Sequence, residues 1–318
     1  LVIKWPGGKL SQFEQVKADT LITVYQSRAA IPAPTHISPA PEPMFTDITE
    51  ISGIDFTHRQ SGFVDFKSFP LLPFQLSKTG PCLGKADVNM DGLEDIFIGA
   101  TSGQESALYL QNAKGSFILS ANQPWNNHKE ITNTDILFFD ADGDGDPDLY
   151  LVSGGAEYNA ASKNYQDRIF ENVGNGNFKQ LENALPTETI SGSCARAAKI
   201  NKNGLPDLFV GGMFTPGSFP VAPESFILKN KSTAGKIRFE KDSVTHDASI
   251  KKMGMVTDAV WTDINKDGWE DLIVVGQFMP VRIFENHQGK LKDATGTYGL
   301  ANTNGWWRRI LADDFDND

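Results

Sequence analysis

Cysteine is nearly absent from this chain, which has only Cys82 and Cys194 among its 318 residues. So few cysteines exclude a disulfide framework, although they leave the redox compartment open. Each lies five residues before a repeated loop described below, so the two occupy equivalent positions in repeats that are separated by a third. A disulfide requires Cα atoms within about 7 Å of each other. We therefore expect two free, buried thiols rather than a disulfide.

Long apolar runs and an excess of basic residues are also missing. No apolar run reaches the roughly 18 residues that indicate a membrane span. The 29 Lys and Arg residues stand against 40 Asp and Glu, for a formal net charge of −11. Because nucleic acids and anionic lipids are bound by clustered Lys and Arg, this charge argues against both partners and favours cations.

Signals of common catalytic sites are absent as well. The sequence contains no G-x-S-x-G, no H-E-x-x-H and no glycine-rich phosphate loop. Its five histidines are scattered without the spacing of metal ligands. These absences argue against the enzyme classes that those motifs mark.

An aspartate-rich loop of nine residues is present instead, and it recurs along the chain. Asp87–Asp95 reads D-V-N-M-D-G-L-E-D, Asp140–Asp148 reads D-A-D-G-D-G-D-P-D and Asp263–Asp271 reads D-I-N-K-D-G-W-E-D. A faded copy, K-I-N-K-N-G-L-P-D, occupies Lys199–Asp207, and a fifth copy begins at Asp314 and breaks off at Asp318. The copies start 51 to 64 residues apart, which is the period of a structural repeat.

Strand-like runs flank every loop. T-D-I-L-F-F precedes the second copy and D-L-Y-L-V-S-G-G follows it, then come R-I-F-E-N and a short fourth run. Four short strands per repeat, with almost no helical periodicity, predict an all-β fold of four-stranded propeller blades. The alternative is a β-sandwich, which has no reason to repeat one acidic loop at blade spacing. About four and a half blades are expected in this chain.

The loops have the oxygen-rich pattern that a hard divalent cation requires. Positions 1, 3, 5 and 9 carry Asp or Asn, glycine at position 6 permits a sharp bend, and the carbonyl at position 7 contributes a further oxygen. An EF-hand loop begins in the same way but ends on Glu at position 12 between helices. Ca²⁺ is favoured over Mg²⁺ because the loop is flexible and supplies nearly all ligands, and soft metals would need Cys or His. The predicted ligands are Asp87, Asn89, Asp91, Leu93 and Asp95; Asp140, Asp142, Asp144, Asp146 and Asp148; Asp263, Asn265, Asp267, Trp269 and Asp271; and, in the fifth copy, Asp314, Asp316 and Asp318.

The faded copy differs at two of these ligand positions. Lys199 takes the place of the first ligand, and Asn203 replaces the acid at position 5. We therefore predict that the loop Lys199–Asp207 binds no metal. The Lys199 ammonium is expected to pair with Asp207 instead.

The repeats resemble FG-GAP/VCBS repeats, the blades of integrin-α-type propellers. The N-terminal V-I-K-W-P-G-G-K and F-E-Q-V-K-A-D-T-L-I-T-V resemble the end of an ASPIC/UnbV domain, as in bacterial surface proteins similar to cartilage acidic protein. The resemblance implies a calcium-bearing, seven-bladed propeller that is extracellular or at the cell surface, secreted or lipid-anchored. It implies a binding role and no established catalytic activity.

Three regions are predicted on this basis. Residues 1–28 form the C-terminal part of an ASPIC/UnbV-like β domain, residues 29–44 a stiff Pro-rich linker, and residues 45–318 the blades. The first residues show no signal peptide, and the last stop inside a motif. We therefore expect that the chain was cut from a longer protein, whose remainder closes the propeller.

Two functions fit these features. The first is a non-catalytic, calcium-stabilised binding or adhesion module for a protein or glycan partner. The alternative is a propeller-fold carbohydrate-active enzyme, a glycosidase or lyase, which needs two free carboxylates, whereas the conspicuous acids here are committed to metal. Two smaller questions stay open: whether Asp135, Asp258 and Arg309, equivalent in position to the cysteines, face a ligand or only water, and whether Trp306 and Trp307 stack on a sugar or pack in the protein.

Overall fold

The protein divides into two compact units, Leu1–Ile48 and Thr49–Asp318. The computed structural model describes residues 1–30, 44–202, 204–242 and 247–315. Most of the predicted linker 29–44 lies outside the described residues, as do Asn203 and the predicted ligands Asp316 and Asp318.

Within its described residues, 1–30 and 44–48, the smaller unit contains one short hairpin of β1 (Val2–Lys4) and β2 (Leu10–Gln12). The turn W-P-G-G connects the two strands, and the Trp5 N–H donates to the Lys9 carbonyl at 2.9 Å. Because this turn is tight, β1 pairs with β2, which follows it directly in the chain. The run L-I-T-V-Y reads in the sequence as a second strand after the W-P-G-G turn, but this interpretation is wrong, and Leu21 in that run is 97% exposed.

Four antiparallel sheets form the described part of the larger unit, and their strands pair in chain order. Hairpins therefore connect neighbouring strands within each sheet. Sheets 1 and 2 consist of β3 (Cys82–Ala86), β4 (Asp95–Gly99), β5 (Ala107–Gln111) and β6 (Phe117–Ser120), then of β7 (Thr132–Phe139), β8 (Asp148–Gly154), β9 (Arg168–Asn172) and β10 (Phe178–Gln180).

Sheets 3 and 4 repeat this order, and in sheet 4 a fifth strand pairs with the end of the second strand. These sheets consist of β11 (Ser191–Ala198), β12 (Asp207–Phe214), β13 (Phe226–Asn230) and β14 (Phe239–Lys241), then of β15 (Met255–Thr262), β16 (Asp271–Met279), β17 (Arg282–Asn286) and β18 (Leu291–Asp293), with β19 (Gly305–Trp306) paired to β16.

The helices described are single turns, as expected from a sequence with almost no helical periodicity. They are α1 (Thr49–Ser52), α2 (Asp65–Ser68) and the 3₁₀ segments Gln26–Arg28, Leu76–Lys78, Pro124–His128, Lys163–Tyr165 and Ala248–Lys252.

The core lies between consecutive sheets rather than inside any one of them. Trp125 joins sheets 1 and 2, with its ring 4.9 Å from that of Phe97 and 5.7 Å from that of Phe170. Similar apolar clusters join sheet 2 to sheet 3 and sheet 3 to sheet 4. Sheets 2 and 3 thus have a neighbouring sheet on both faces, which explains why all seven residues of β8 are buried.

Glycines in the first and second strands of sheet 3 let neighbouring sheets approach. A Cβ added at Gly211 would lie 2.6 Å from Cγ1 of Val256 in the first strand of sheet 4. Likewise, a Cβ added at Gly192 would lie 2.6 Å from Cγ1 of Val152 in sheet 2. Successive first strands also contact one another, which is the arrangement of propeller blades. The predicted all-β fold of four-stranded blades is confirmed.

Candidate metal centres

Each acidic loop connects the first strand of a sheet to the second. We call Asp87–Asp95 loop 1, Asp140–Asp148 loop 2, Lys199–Asp207 loop 3 and Asp263–Asp271 loop 4. The repeat therefore places one loop at the same end of every sheet.

Two left-handed residues bend each loop back on itself. The sixth position is glycine in every loop, with φ between 83° and 159°. The fourth position is also left-handed, although it is Met90, Lys202 or Lys266 in loops 1, 3 and 4. Such residues rarely adopt positive φ. The sequence predicted the bend at glycine but carried no sign of the second one.

Loops 1 and 4 have the same internal hydrogen bonds. In loop 1 the Asp87 carboxylate accepts from the N–H groups of Asp91 at 3.0 Å and Gly92 at 2.7 Å. Asp263 of loop 4 makes the equivalent two bonds at the same two distances. The amide oxygens of Asn89 and Asn265 accept from position 5 in the same way. The side chains at positions 1 and 3 are therefore folded over the centre of the loop.

The carboxylates at position 5 follow the same pattern. Asp91 accepts from the Leu93 N–H at 2.9 Å, and Asp267 accepts from the Trp269 N–H at 2.8 Å. These bonds turn the backbone at position 7 towards the loop.

Loop 2 brings three carboxylates together. One oxygen of each of Asp140, Asp142 and Asp148 lies within 4.8 Å of the other two. A fourth acid, Asp146, has a buried Oδ1 without a hydrogen-bond partner in the described part of the chain. Asp144 stands outside this group of three and accepts from the Asp146 N–H at 3.1 Å. A hard divalent cation fits these residues, because its positive charge would balance the carboxylates and it would be a partner for the Asp146 oxygen that has none.

Burial and mutual repulsion act on the acids of loop 2. Burial raises the pKa of Asp148 to about 7. The neighbouring carboxylates of Asp142 and Asp146 also raise this pKa, whereas two backbone hydrogen bonds lower it. Burial also raises the pKa of Asp146 to about 6, with Asp144 as the next cause. A cation among these groups would favour their charged forms.

The aspartate at position 9 has a structural role that the sequence analysis missed. Asp95 accepts from the Val88 N–H at 2.9 Å with one oxygen and from the Gln111 N–H at 2.8 Å with the other. Asp148 and Asp271 make the same two types of bond in their own sheets. This residue therefore ties each loop to the third strand of its sheet, whether or not it also contacts a metal.

An asparagine at the end of the third strand joins each loop to the next sheet. The Asn172 side chain donates to the Val88 carbonyl of loop 1 at 2.9 Å and to the Pro147 carbonyl of its own loop at 3.2 Å. Asn230 and Asn286 donate in the same way across the next two boundaries. The only sign in the sequence was the recurring final N of R-I-F-E-N and F-I-L-K-N. We call these three residues the asparagine clamps.

Loop 3 departs from the prediction in one respect. No ion pair joins Lys199 to Asp207 in the part of the chain that the structure describes, so the predicted pairing is wrong. Asp207 is buried and accepts from the Asn230 N–H at 2.8 Å. Burial raises its pKa, and the ammonium groups of Lys229 and Lys231, not Lys199, partly offset this. Asp207 faces the interior because it anchors the loop to the third strand.

The fifth copy is described only at its start. Asp314 is exposed, and its N–H donates to the Asp313 carboxylate at 2.9 Å. Asp316 and Asp318 lie outside the described residues.

The first strands carry ion pairs between sheets. Asp135 and Asp258, predicted to face a ligand or water, are buried and both pair with Arg196. Both carboxylates are therefore engaged in ion pairs within the protein, and neither the ligand-facing nor the water-facing interpretation describes them. Cys82 and Cys194 are free, buried thiols, as expected, and burial raises the pKa of each to about 12.

Comparison with known proteins identifies the repeat. A family model described as an FG-GAP-like repeat matches residues 87–151 and 263–318, so both matches start at the first residue of an acidic loop. The chain therefore contains FG-GAP-like repeats. No curated protein matches the chain.

One similar solved structure is an Agrocybe aegerita lectin, described in terms of specific recognition of non-reducing terminal N-acetylglucosamine. It is 18% identical, with a TM-score of 0.44, over 69% of this chain. The match covers 52% of the lectin chain, so this chain spans about half of that protein's length. Among the described residues, no helix has the length and apolarity needed to cross a membrane.

Proposed function

We propose that these FG-GAP-like repeats form a calcium-stabilised, non-catalytic binding module, extracellular or at the cell surface, for a protein or glycan partner. Loops 1, 2 and 4 would each bind one Ca²⁺, and loop 3 none. The observation that carries this proposal is the convergence of Asp140, Asp142 and Asp148 beside the buried, unpartnered oxygen of Asp146.

The proposed ligands come from the same positions in each loop. Side-chain oxygens at positions 1, 3, 5 and 9 would hold the ion together with the carbonyl at position 7. The ion would neutralise the crowded carboxylates and hold the loop against its sheet. The residues are Asp87, Asn89, Asp91, Leu93 and Asp95 in loop 1; Asp140, Asp142, Asp144, Asp146 and Asp148 in loop 2; and Asp263, Asn265, Asp267, Trp269 and Asp271 in loop 4.

The domain boundaries remain part of the proposal. Residues 1–28 would be the end of an ASPIC/UnbV-like domain, residues 29–44 a linker, and residues 45–318 the propeller blades.

Buried acids outside the loops support a binding role over catalysis. Asp65 accepts from both the N–H and the hydroxyl of Ser77. Glu157 accepts from the Thr132 hydroxyl at 2.8 Å and from the Ala156 N–H at 2.9 Å. These carboxylates are engaged in local structure, whereas a glycosidase needs two acids directed at its substrate.

Calcium stoichiometry tests the metal part of the proposal. Isothermal titration and native mass spectrometry of the full chain should show three Ca²⁺, with millimolar Mg²⁺ unable to replace them. Affinities should lie in the range of about 10⁻⁴–10⁻³ M that is typical of extracellular modules. Absence of binding at 10-fold higher calcium would contradict it.

Partner screens test the binding part. A glycan array and a pull-down from extracellular matrix or surface extracts should give ligands that are retained in calcium and released by chelator. Turnover of a polysaccharide that survives mutation of the loop aspartates would instead support the carbohydrate-active enzyme.

A further inference from the structure

A small cavity lies beside the first strands of sheets 2, 3 and 4, away from the acidic loops. Its volume is about 180 Å³, smaller than the pockets that hold drug-sized ligands. The cavity therefore suits one compact group, such as a single sugar ring.

Hydroxyl groups line the cavity at one repeated position. Thr134, Ser193 and Thr257 each directly precede the residue equivalent to the cysteines in their own strand. Each hydroxyl donates to a backbone carbonyl, at 2.9, 3.1 and 2.9 Å in that order. Since the hydrogens are used in this way, the hydroxyl oxygens remain as acceptors for a ligand.

A guanidinium group replaces the hydroxyl at the next repeat of this position. Arg308 lines the cavity and stacks on the Phe74 ring, 4.7 Å from its centroid. No carboxylate pairs with Arg308 in the described part of the chain, although the protein carries 40 acidic residues. Arg309, also in the lining, lies 3.8 Å from Asp258. An unpaired guanidinium at a cavity favours a carboxylate ligand.

A buried amide adds a requirement for donors on the ligand. Gln277 lines the cavity, is 2% exposed, and its Oε1 has no hydrogen-bond partner within the described residues. A buried acceptor without a partner is costly, so a ligand O–H or N–H at this point would be favoured. A bare carboxylate or sulfate has no such hydrogen to donate.

An aromatic cluster lies beside the cavity, and of its rings Phe74 belongs to the lining. Trp306 lies 5.5 Å from Phe74 and 4.9 Å from Phe278 between ring centroids, and is 39% exposed. Phe278 has φ of 56°, an uncommon conformation for a bulky residue, which places its ring beside Trp306 while Gln277 faces the cavity. Partly exposed rings of this kind pack against the C–H face of a sugar. Trp306 thus both packs in the protein and stays accessible.

We propose that this cavity binds a carboxylate-bearing sugar residue of an acidic glycan. Arg308 would hold the carboxylate, Gln277 and the hydroxyls would hold the sugar hydroxyl groups, and Phe74, with Trp306 packed against it, would lie against the sugar ring. This inference rests on the proposed binding role but not on the calcium loops.

Direct titration of small acidic sugars tests the assignment. Glucuronic acid and N-acetylneuraminic acid are added to the full chain, with glucose and acetate as matched probes that lack the carboxylate or the ring. Saturation-transfer NMR and Trp fluorescence should report binding of at least one acidic sugar. Glucose and acetate should bind at least 10-fold more weakly, because each satisfies only part of the site. Equal binding of acetate, or of a peptide C-terminal carboxylate, would overturn the sugar assignment.

Variants then locate the site. Arg308→Gln should weaken acidic-sugar binding by about 10-fold or more, Arg308→Lys should weaken it less, and Gln277→Leu should reduce it without changing calcium stoichiometry. Arg238→Gln is the control, because Arg238 is exposed on the outer strand region and pairs with Glu240. If a glycan or protein partner is found and its affinity is unchanged in Arg308→Gln, the cavity is not the site while the proposed binding role stands.

Discussion

Loop 2 and loop 3 occupy the same place in consecutive sheets but carry opposite charges. Loop 2 has five aspartates and no basic residue, whereas loop 3 has Lys199 and Lys202 against the single acid Asp207. Yet both connect a first strand to a second, keep a left-handed fourth residue, and bind the third strand through the ninth. Position 9 and the asparagine clamps therefore build the repeat, while positions 1, 3 and 5 carry the other side chains of the proposed metal sites.

Loop 3 keeps its fold by other contacts. The Lys202 ammonium lies 4.2 Å above the Trp269 ring of loop 4, and Asn286 donates to the Ile200 carbonyl at 2.8 Å. Lys202 is exposed, and a cation–π contact at an exposed site contributes about 0.5–1 kcal/mol. The loop thus gains from a neighbouring sheet part of what its relatives would gain from calcium.

Removing calcium should have the largest effect, because it acts on loops 1, 2 and 4 at once. At a calcium concentration ten times Kd, each site adds about 1.4 kcal/mol to the free energy of unfolding, or about 4 kcal/mol for three. Excess chelator should therefore lower Tm by about 5–10 °C in differential scanning calorimetry. Equal Tm values in chelator and in calcium would remove the distinction between the two kinds of loop.

The asparagine clamps should come next, and they test the shared architecture. Asn230→Ala removes the clamp on loop 2, and Asn286→Ala removes the clamp on loop 3. Each variant leaves buried carbonyls without donors. The free energy of unfolding, measured with urea in chelator, should therefore fall by about 2–3 kcal/mol. The two losses should be similar, because both clamps make the same pair of bonds.

Calcium affinity distinguishes the two clamp variants. Asn230→Ala should also weaken calcium binding at loop 2, whereas Asn286→Ala should leave all three calcium affinities unchanged. A calcium-dependent loss for Asn286→Ala would mean that loop 3 binds metal after all.

The strand positions and the clustering of carboxylates in loop 2 were predictable, because both depend on residue types at short spacings. The run D-L-Y-L-V-S-G-G reads as a buried strand ending in glycine, and β8 is that strand. The asparagine clamps were not predictable, since an Asn at a strand end has many uses and its partner lies more than 80 residues away. The Lys199 pairing failed because opposite charges in one loop need not face each other. Asp207 points inward to a backbone N–H.

Neutralising loop 2 should have a smaller effect whose sign depends on calcium. The double variant Asp140→Asn with Asp144→Asn should lower the calcium stoichiometry from three to two. In calcium, its free energy of unfolding should fall by about 1.4 kcal/mol. In chelator the same variant should be more stable than the parent, because repulsion among the remaining carboxylates is weaker. Glu182→Gln, at an exposed acid outside the loops, is the matched control and should shift neither value. A variant that is destabilised equally in both conditions would show that these acids only shape the loop.

Restoring ligands to loop 3 should have the smallest effect and gives the closest test of the comparison. Lys199→Asp with Asn203→Asp supplies the acids that loops 1 and 4 have at positions 1 and 5, while Asn201 and Asp207 already stand at positions 3 and 9. Native mass spectrometry should then show a fourth Ca²⁺. In calcium, the gain in the free energy of unfolding should stay below about 1 kcal/mol, because Lys202 keeps a positive charge beside the new site.

Adding Lys202→Ala separates the two influences on that site. The triple variant should bind the fourth calcium more tightly than the double variant, since the nearby ammonium is gone. In chelator it should be the least stable of the set, because the contact with Trp269 is lost as well. Failure of both variants to bind a fourth ion would show that the backbone of loop 3, whose sixth residue has φ of 159° rather than the 83° to 96° of the other loops, had already diverged from a metal-binding shape.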